Sequence, residues 1–328
     1  MAIVAGVDEA GFGPLLGPLT IGYSAFRVVP GREDLWKALS RTVSRDKTKD
    51  KNRIVVHDSK EVFARNPRGR QRLETTALTF LALLRPDRTP PPDARWMLDG
   101  ALRPDAAWLE RHPWYALLAP RLPLFGDAGA IELRAERLWR AMGRASVEPV
   151  DAGVRVVPAG ELNASFAATG SKSTTLWDKT AEVLVHLWSA FGAEGLRVVA
   201  DAQGARTNYG PPLSLTFPRA LVRLLHEGPG FREYELVESA SDDSPARRMR
   251  LCFAPRADQS AFTTALASCL AKYARETVME AFNAYFAALQ PDLAPTAGYR
   301  SDGWRWLDDA RPALRAAALD GLLVRRER

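Results

Sequence analysis

Residues Ala2 to Val7 form a short apolar run with β-branched side chains, and two adjacent carboxylates, Asp8 and Glu9, end it. The run reads as a buried strand that stops where the acids begin. Gly11-Phe12-Gly13-Pro14 follows, and then a second strand-like run from Leu19 to Val29. A chain that opens this way brings paired charges to the end of a packed sheet. Such an end, beside a Gly-x-Gly turn, is one way to build a metal site, because the acids are held rigidly and bare backbone N–H groups approach whatever binds. The other reading is a strand that reaches solvent and finishes in a polar hairpin.

Later residues weigh against that plainer reading. Acids recur beside two further apolar runs: Asp201 ends Leu196 to Ala200, and Asp258 follows Met249 to Phe253. A long helical pattern after Asp258 carries Ala267-Ser268-Cys269-Leu270-Ala271-Lys272, and Gly298-Tyr299 comes late. Together with Asp8-Glu9-Ala10-Gly11-Phe12-Gly13, Asp58-Ser59-Lys60 and Arg256-Ala257-Asp258, these stand in one order. The ordered set resembles the type 2 ribonucleases H, ribonuclease HII and its relative ribonuclease HIII.

The resemblance implies a ribonuclease H-like α/β fold, a mixed sheet flanked by helices. It implies a metal-dependent endoribonuclease that cuts RNA in RNA–DNA hybrids, or ribonucleotides embedded in duplex DNA, leaving 5′-phosphate and 3′-OH ends. Asp8, Glu9, Asp201 and Asp258 would be the catalytic acids and the ligands of Mg²⁺ or Mn²⁺ in a two-metal site. That chemistry suits a chain whose histidines, His57, His112, His186 and His226, stand at no metal-ligand spacing, since magnesium prefers oxygen donors and keeps several waters. Gly11 and Gly13 would meet the ribose 2′-OH that distinguishes RNA from DNA. Tyr299 would lie near the scissile ribonucleotide, while Ser59 and Lys60 would contact phosphate. Arg256, Ser268 and Lys272 complete the substrate-binding set, Lys272 either supporting the site or capping the polar side of its helix. Two positions depart from the family pattern: Phe12 replaces an Arg or Lys, and Arg256-Ala257 replaces Lys-Gly. Both bear on substrate recognition more than on hydrolysis. Two readings therefore stay open beside the leading one, a nucleic-acid-binding protein of this fold with weak or no catalysis, and a nuclease acting on branched DNA.

Strands are expected at 2–8, 19–29, 153–158, 196–201 and 248–254, with helices at 70–84, 172–191, 259–289 and 311–323. Strands alternating with helices after an opening hairpin indicate a mixed α/β sheet. One catalytic domain over 1–328 is expected, with insertions at about 30–57, 85–145 and 202–247. The first holds a basic run, Lys37, Arg41, Arg45, Lys47, Lys49, Lys51 and Arg53, interspersed with Glu33, Asp34, Asp46 and Asp50, and reads as a solvated loop. The second opens with a proline-rich stretch unable to be helical and carries Trp96, Trp108, Trp114 and Trp139, expected to pack a small subdomain. In the third, Ser241-Asp242-Asp243-Ser244 reads as an exposed turn. Gly170-Ser171-Lys172-Ser173-Thr174 lacks the Gly-Lys pair of a phosphate loop and reads as a helix cap. Arg325-Arg326-Glu327-Arg328 reads as a frayed tail.

A net charge of +6 suits a polyanionic partner without requiring one. With only Cys252 and Cys269, both in apolar runs, a reducing cytoplasm is expected and a disulfide framework is not. No signal peptide or membrane-spanning run is read in the sequence, and a monomer is the default.

Overall fold

The computed structural model describes residues 1–47, 52–204, 206–242 and 244–327. Lys49, Asp50, Lys51, Asp243 and Arg328 therefore lie outside the described residues. The strands are β1 (Ala2–Ala10), β2 (Leu19–Val28), β3 (Val43–Ser44), β4 (Ile54–Val55), β5 (Val147–Val157), β6 (Leu196–Asp201), β7 (Leu221–Gly228), β8 (Phe231–Glu238) and β9 (Arg247–Ala254). Seven of them form one sheet in the order β5-β2-β1-β6-β9-β8-β7, and β3 pairs with β4 apart from it. β1, β6 and β9 run parallel at the centre, while β5–β2–β1 and β9–β8–β7 are antiparallel margins.

Helices cover both faces of the central strands, which is why β1 is apolar on both sides up to Asp8. Ile3, Ala5 and Val7 pack with Val183, Leu184 and Leu187 of the helix Lys172–Phe191. Ser171 caps that helix, its side chain accepting from the Thr174 N–H at 3.3 Å, so the Gly-Ser-Lys segment is a cap as expected. The helix Phe262–Leu289 covers the opposite face and is tied to it by hydroxyls. Thr20 donates to the Ala271 carbonyl at 2.9 Å, Ser24 to that of Thr263 at 2.9 Å, and Thr264 to that of Val199 at 2.8 Å. These bonds fix the start of the helix, and so Asp258 just before it, against β1, β2 and β6.

Several boundaries differ from expectation. The helix expected at 70–84 is Pro67–Ala82, started by the Asn66 cap and a proline in its first turn. The strand expected at 153–158 begins at Val147. The helix expected at 259–289 is two, Ala257–Ser260 and Phe262–Leu289, because Ala261 is extended. The helix expected at 311–323 stops at Ala317, where Ala318 takes a left-handed conformation, and a shorter one spans Gly321–Val324. Arg300–Asp309 is an additional helix, and the third insertion holds the β7–β8 hairpin.

The insertions are joined to the core. Trp114 is buried against Phe282 and Phe286 of the long helix, with ring centroids 5.0 and 5.9 Å away. Glu74, fully buried, accepts three backbone N–H groups, from Leu124, Phe125 and Gly126, each at 2.7 Å, and the Tyr273 hydroxyl at 3.0 Å. In the first insertion Arg45 stacks on Trp36 and donates to the Gln259 carbonyl, while Lys47 reaches the Glu61 carbonyl at 3.3 Å. That part of the basic run is anchored beside Asp258 instead of being a free loop. Cys252 and Cys269 are both free thiols. No helix among the described residues is long and apolar enough to cross a membrane.

Candidate functional site

Parallel strands end together, and this chain places an acid at or just past each of three such ends. The β1–β6 pairing runs to Val7 opposite Ala200, so the same register carries Asp8 alongside Asp201. β6 pairs with β9 as far as Asp201 opposite Ala254, and Asp258 lies one short turn beyond. Clefts outside the carboxyl ends of such strands are where α/β sheets bind ligands.

The acids act on one another electrostatically. Burial, then Glu9, Asp201 and Asp258 in turn, hold the Asp8 carboxyl well above the usual range. Burial and then Asp201 push Glu9 up to about 7, against the pull of Lys60. Burial, then Asp58 and Asp201, push Asp258 up to about 7. Asp201 is raised by burial, and the Ala257 N–H it accepts at 2.9 Å works in the opposite direction. Lys60 acts on Glu9, Asp201 and Asp258 without a direct ion pair to any of them.

Asp58 is a fifth acid that the sequence did not single out. It is buried, caps the short helix Ser59–Val62 by accepting the Lys60 N–H at 2.9 Å, accepts from Gln259 Nε2 at 3.4 Å, and helps hold the Asp258 carboxyl up. The signal was present in Asp58-Ser59-Lys60, of which only the second and third residues were assigned.

Other expected residues lie in varied places. The Ser59 N–H donates to Ser268 Oγ at 3.1 Å, and Ser268 is itself buried, so Ser268 supports the Ser59 turn from inside. Lys272 pairs with Glu276 at 2.7 Å and sits 4.7 Å from the Phe63 ring, turned to its own helix. Arg256 is exposed and left-handed at φ 54°, whereas Ala257 is already helical, so strain falls on Arg256 and the alanine costs nothing. Gly11 has φ 87°, and a Cβ there would meet Arg275 Nε at 2.4 Å, so only glycine fits. Gly13 is open on all sides, and Phe12 is half-buried beside a cavity of about 220 Å³. Gly298 accepts the N–H groups of Leu15 and Leu16 at 2.7 and 3.1 Å, bringing Tyr299 to the same loop. Tyr299 is half-exposed, with Arg65 at 5.4 Å and Arg275 at 5.6 Å from its ring.

Residues 325–327 are not a frayed tail. Arg326 is 4% exposed and its guanidinium donates to the carbonyls of Gly11 and Gly17, the latter at 2.7 Å. Its partners are backbone carbonyls, which leave no mark in a sequence.

The donor chemistry fits a hard divalent cation: carboxylates only, crowded enough to repel one another when all are ionised. Among the described residues no three His, Cys, Asp or Glu groups close around a single ion as they stand.

The raised values predict a pH dependence with a definite sign. Their folded-state pKa values lie above the unfolded ones, so these acids destabilise the metal-free fold increasingly as pH rises from about 4 to about 7. A divalent cation must displace the same protons. The rise in melting temperature on adding Mg²⁺ should therefore be larger at pH 8 than at pH 5.5, and an equal rise at both would argue against ligation by these groups.

Fold and site thus define an α/β protein with acids gathered at the carboxyl ends of its central parallel strands. No family model and no curated protein matches the chain. Among solved structures it is similar to RNase HII from Archaeoglobus fulgidus, described in a complex with PCNA, at 16% identity over 99% of this chain and 94% of that one, TM-score 0.46. It is also similar to ribonuclease H2 from Pyrococcus horikoshii OT3, at 14% identity over 98% of this chain and 92% of that one, TM-score 0.45. For Bst-RNase HIII in complex with Mn²⁺ the values are 13%, 99%, 66% and 0.43.

Proposed function

We propose that the chain is a metal-dependent endoribonuclease that cuts the RNA strand of an RNA–DNA hybrid, or a ribonucleotide embedded in duplex DNA. The observation that carries this is the placement of Asp8, Glu9 and Asp201 at the ends of adjacent strands with Asp258 one short turn beyond, Asp201 and Asp258 raising the proton affinity of Asp8 and Glu9. The ordered motifs that resemble type 2 ribonucleases H supply the substrate class. Bound Mg²⁺ or Mn²⁺ supplies an activated water and charge for the leaving oxygen. Asp8 and Asp201, side by side on neighbouring strands, would hold the ion on the sheet, with Glu9 and Asp258 contributing from either side. Asp58 would accept a hydrogen bond from Asp258 or its bound water and so orient that carboxylate. Lys60 and Ser59 would meet a backbone phosphate, Lys60 as a point charge. Gly11 and Gly13 would offer main-chain groups to the 2′-OH, with Tyr299 beside the sugar. Ser268 and Lys272 would act from behind, through the Ser59 turn and Glu276. We take residues 1–328 as one catalytic unit with elaborations, working as a monomer in the cytoplasm.

Labelled hybrid, embedded-ribonucleotide duplex, plain duplex DNA and branched DNA incubated with Mg²⁺ or Mn²⁺ test the reading. Cleavage of the first two, leaving 5′-phosphate and 3′-OH ends, is expected, and no cleavage by folded protein with either metal rejects it. A second reading, binding without turnover, is favoured by Phe12, an apolar ring where the type 2 ribonuclease H pattern has a cation. Salt-dependent hybrid binding without products would support it.

A further inference from the structure

We propose that Arg326 is a positioning residue for the substrate-facing loop, locking Gly11–Gly17 from beneath and supplying the positive charge that the loop itself lacks. The inference rests on the proposed role of Gly11 and Gly13 in meeting substrate.

The segment Leu323–Glu327 lies along this loop. Arg325 pairs with Leu16 in an isolated antiparallel bridge, and the Arg326 N–H donates to the Leu15 carbonyl at 2.9 Å. The Arg326 side chain then spans the loop, with Nε on the Gly17 carbonyl at 2.7 Å and Nη1 on that of Gly11. One planar, rigid fork therefore ties both ends of a seven-residue turn, a task a lysine ammonium cannot perform. Asn163, on the helix Ala159–Thr169, grips the segment from the other side. Its Nδ2 donates to the Arg325 carbonyl at 2.9 Å and its Oδ1 accepts the Glu327 N–H at 2.8 Å.

Arg275 of the long helix works next to it, with Nη2 donating to the carbonyls of Leu16 at 3.2 Å and Ala297 at 3.1 Å. Both guanidiniums are buried, Arg275 at 1% and Arg326 at 4% exposure, and the charge of Arg275 opposes that of Arg326. Arg326 Nη2 and Arg275 Nε and Nη1 have no hydrogen-bond partner. Arg275 lies 3.7 Å from the Glu276 carboxylate, while no described carboxylate pairs with Arg326. Two buried like charges with spare donors are costly unless something negative offsets them. A substrate phosphate arriving at the outer side of the loop would do so, in a field little screened by water. Phe12, half-buried beside the cavity that Lys172 and Arg326 also line, provides no such charge.

Arg326→Met and Arg326→Lys, made in the full chain, test this with four readouts: amide exchange across Gly11–Gly17, hybrid affinity in EDTA, Mn²⁺ affinity, and steady-state kinetics. Arg326→Met should speed exchange in the loop and weaken hybrid binding about tenfold, with kcat falling less than about threefold, since misplacing a binding element acts mainly on association. Mn²⁺ affinity should not change. Arg326→Lys should restore part of the binding, through charge, but not the slow exchange. Asn163→Ser releases the segment while keeping the arginine, and should reproduce the faster exchange and weaker binding. Folded Arg326→Met with wild-type exchange and affinity, or with its loss confined to kcat, overturns the proposal. Where Arg326→Met fails to fold, wild-type exchange in Asn163→Ser overturns it. A wild-type protein that neither binds nor cuts hybrid rejects the proposed function instead, and the exchange comparison still decides whether Arg326 locks the loop.

Discussion

Replacing Asp8 by Asn should lower hybrid cleavage by at least about 10³-fold while leaving metal-free binding of the same duplex intact or tighter. The substitution keeps the side chain's shape and removes one charge from the most crowded position in the cleft. Asp8 is buried, and Glu9, Asp201 and Asp258 all oppose its ionisation. Metal-free protein should therefore gain stability from the change at high pH, because a repulsive buried charge is gone. Phosphates approaching the cleft meet one fewer negative group, so affinity without metal should not fall. The three readouts must move in these separate directions. Wild-type cleavage by Asp8→Asn would remove the basis for the nuclease reading, whereas loss of cleavage together with loss of fold would mark Asp8 as structural.

What could be read from the residues alone follows from how local the cause is. Asp8, Glu9 and Asp201 were legible because each ends an apolar run, and a strand's end is a local event. Asp258 was legible only through its place in an ordered set, since it stands after its strand on a short helix. Asp58 escaped notice as an acid because its link to Asp258 joins positions far apart in sequence. The β7–β8 hairpin carries a plain turn signal in Gly228-Pro229-Gly230, but a bulge between Leu224 and His226 breaks the alternation that would have marked the first strand. Arg326 was misjudged for a different reason. A run of arginines is normally solvated, and nothing in it announces that carbonyls of Gly11 and Gly17 wait for one of them. The basic run at 37–53 was half-legible in the same way: Arg45 and Lys47 find backbone carbonyls near Asp258 and Asp58. Charge pattern foretold the composition of these segments and not where they dock.

The substitution expected to harm the fold most, for its size, is Gly6→Ala. Gly6 lies in the middle of β1, two residues before Asp8, where the helix Phe262–Leu289 crosses the strand. A Cβ at this position would stand 2.1 Å from the Thr264 nitrogen and 2.2 Å from the Thr263 carbonyl carbon, both backbone atoms that no rotamer change can move. A Cβ at Gly22, the partner of Asp8 across the β1–β2 ladder, would likewise stand 2.1 Å from the Ala267 carbonyl oxygen. The helix thus touches the sheet backbone to backbone at two points, and one methyl group must lift it by more than an ångström. Lifting it strains the bonds from Ser24 to Thr263 and from Thr264 to Val199, and opens space under the long helix. Overpacking of a core usually costs about 1–3 kcal/mol, and a contact this close with immobile atoms should reach or exceed about 3 kcal/mol. In a chain of 328 residues that corresponds to a melting temperature lower by roughly 4 °C or more. The displacement also carries Asp258 away from Asp8 and Asp201, so Mn²⁺ affinity should fall even in whatever fraction stays folded. Gly143→Ala makes the control, because a Cβ there meets nothing within 4 Å. A thermal melt and a Mn²⁺ titration on both variants check the argument: equal stability for Gly6→Ala and Gly143→Ala would mean that the helix does not set the spacing of the acids.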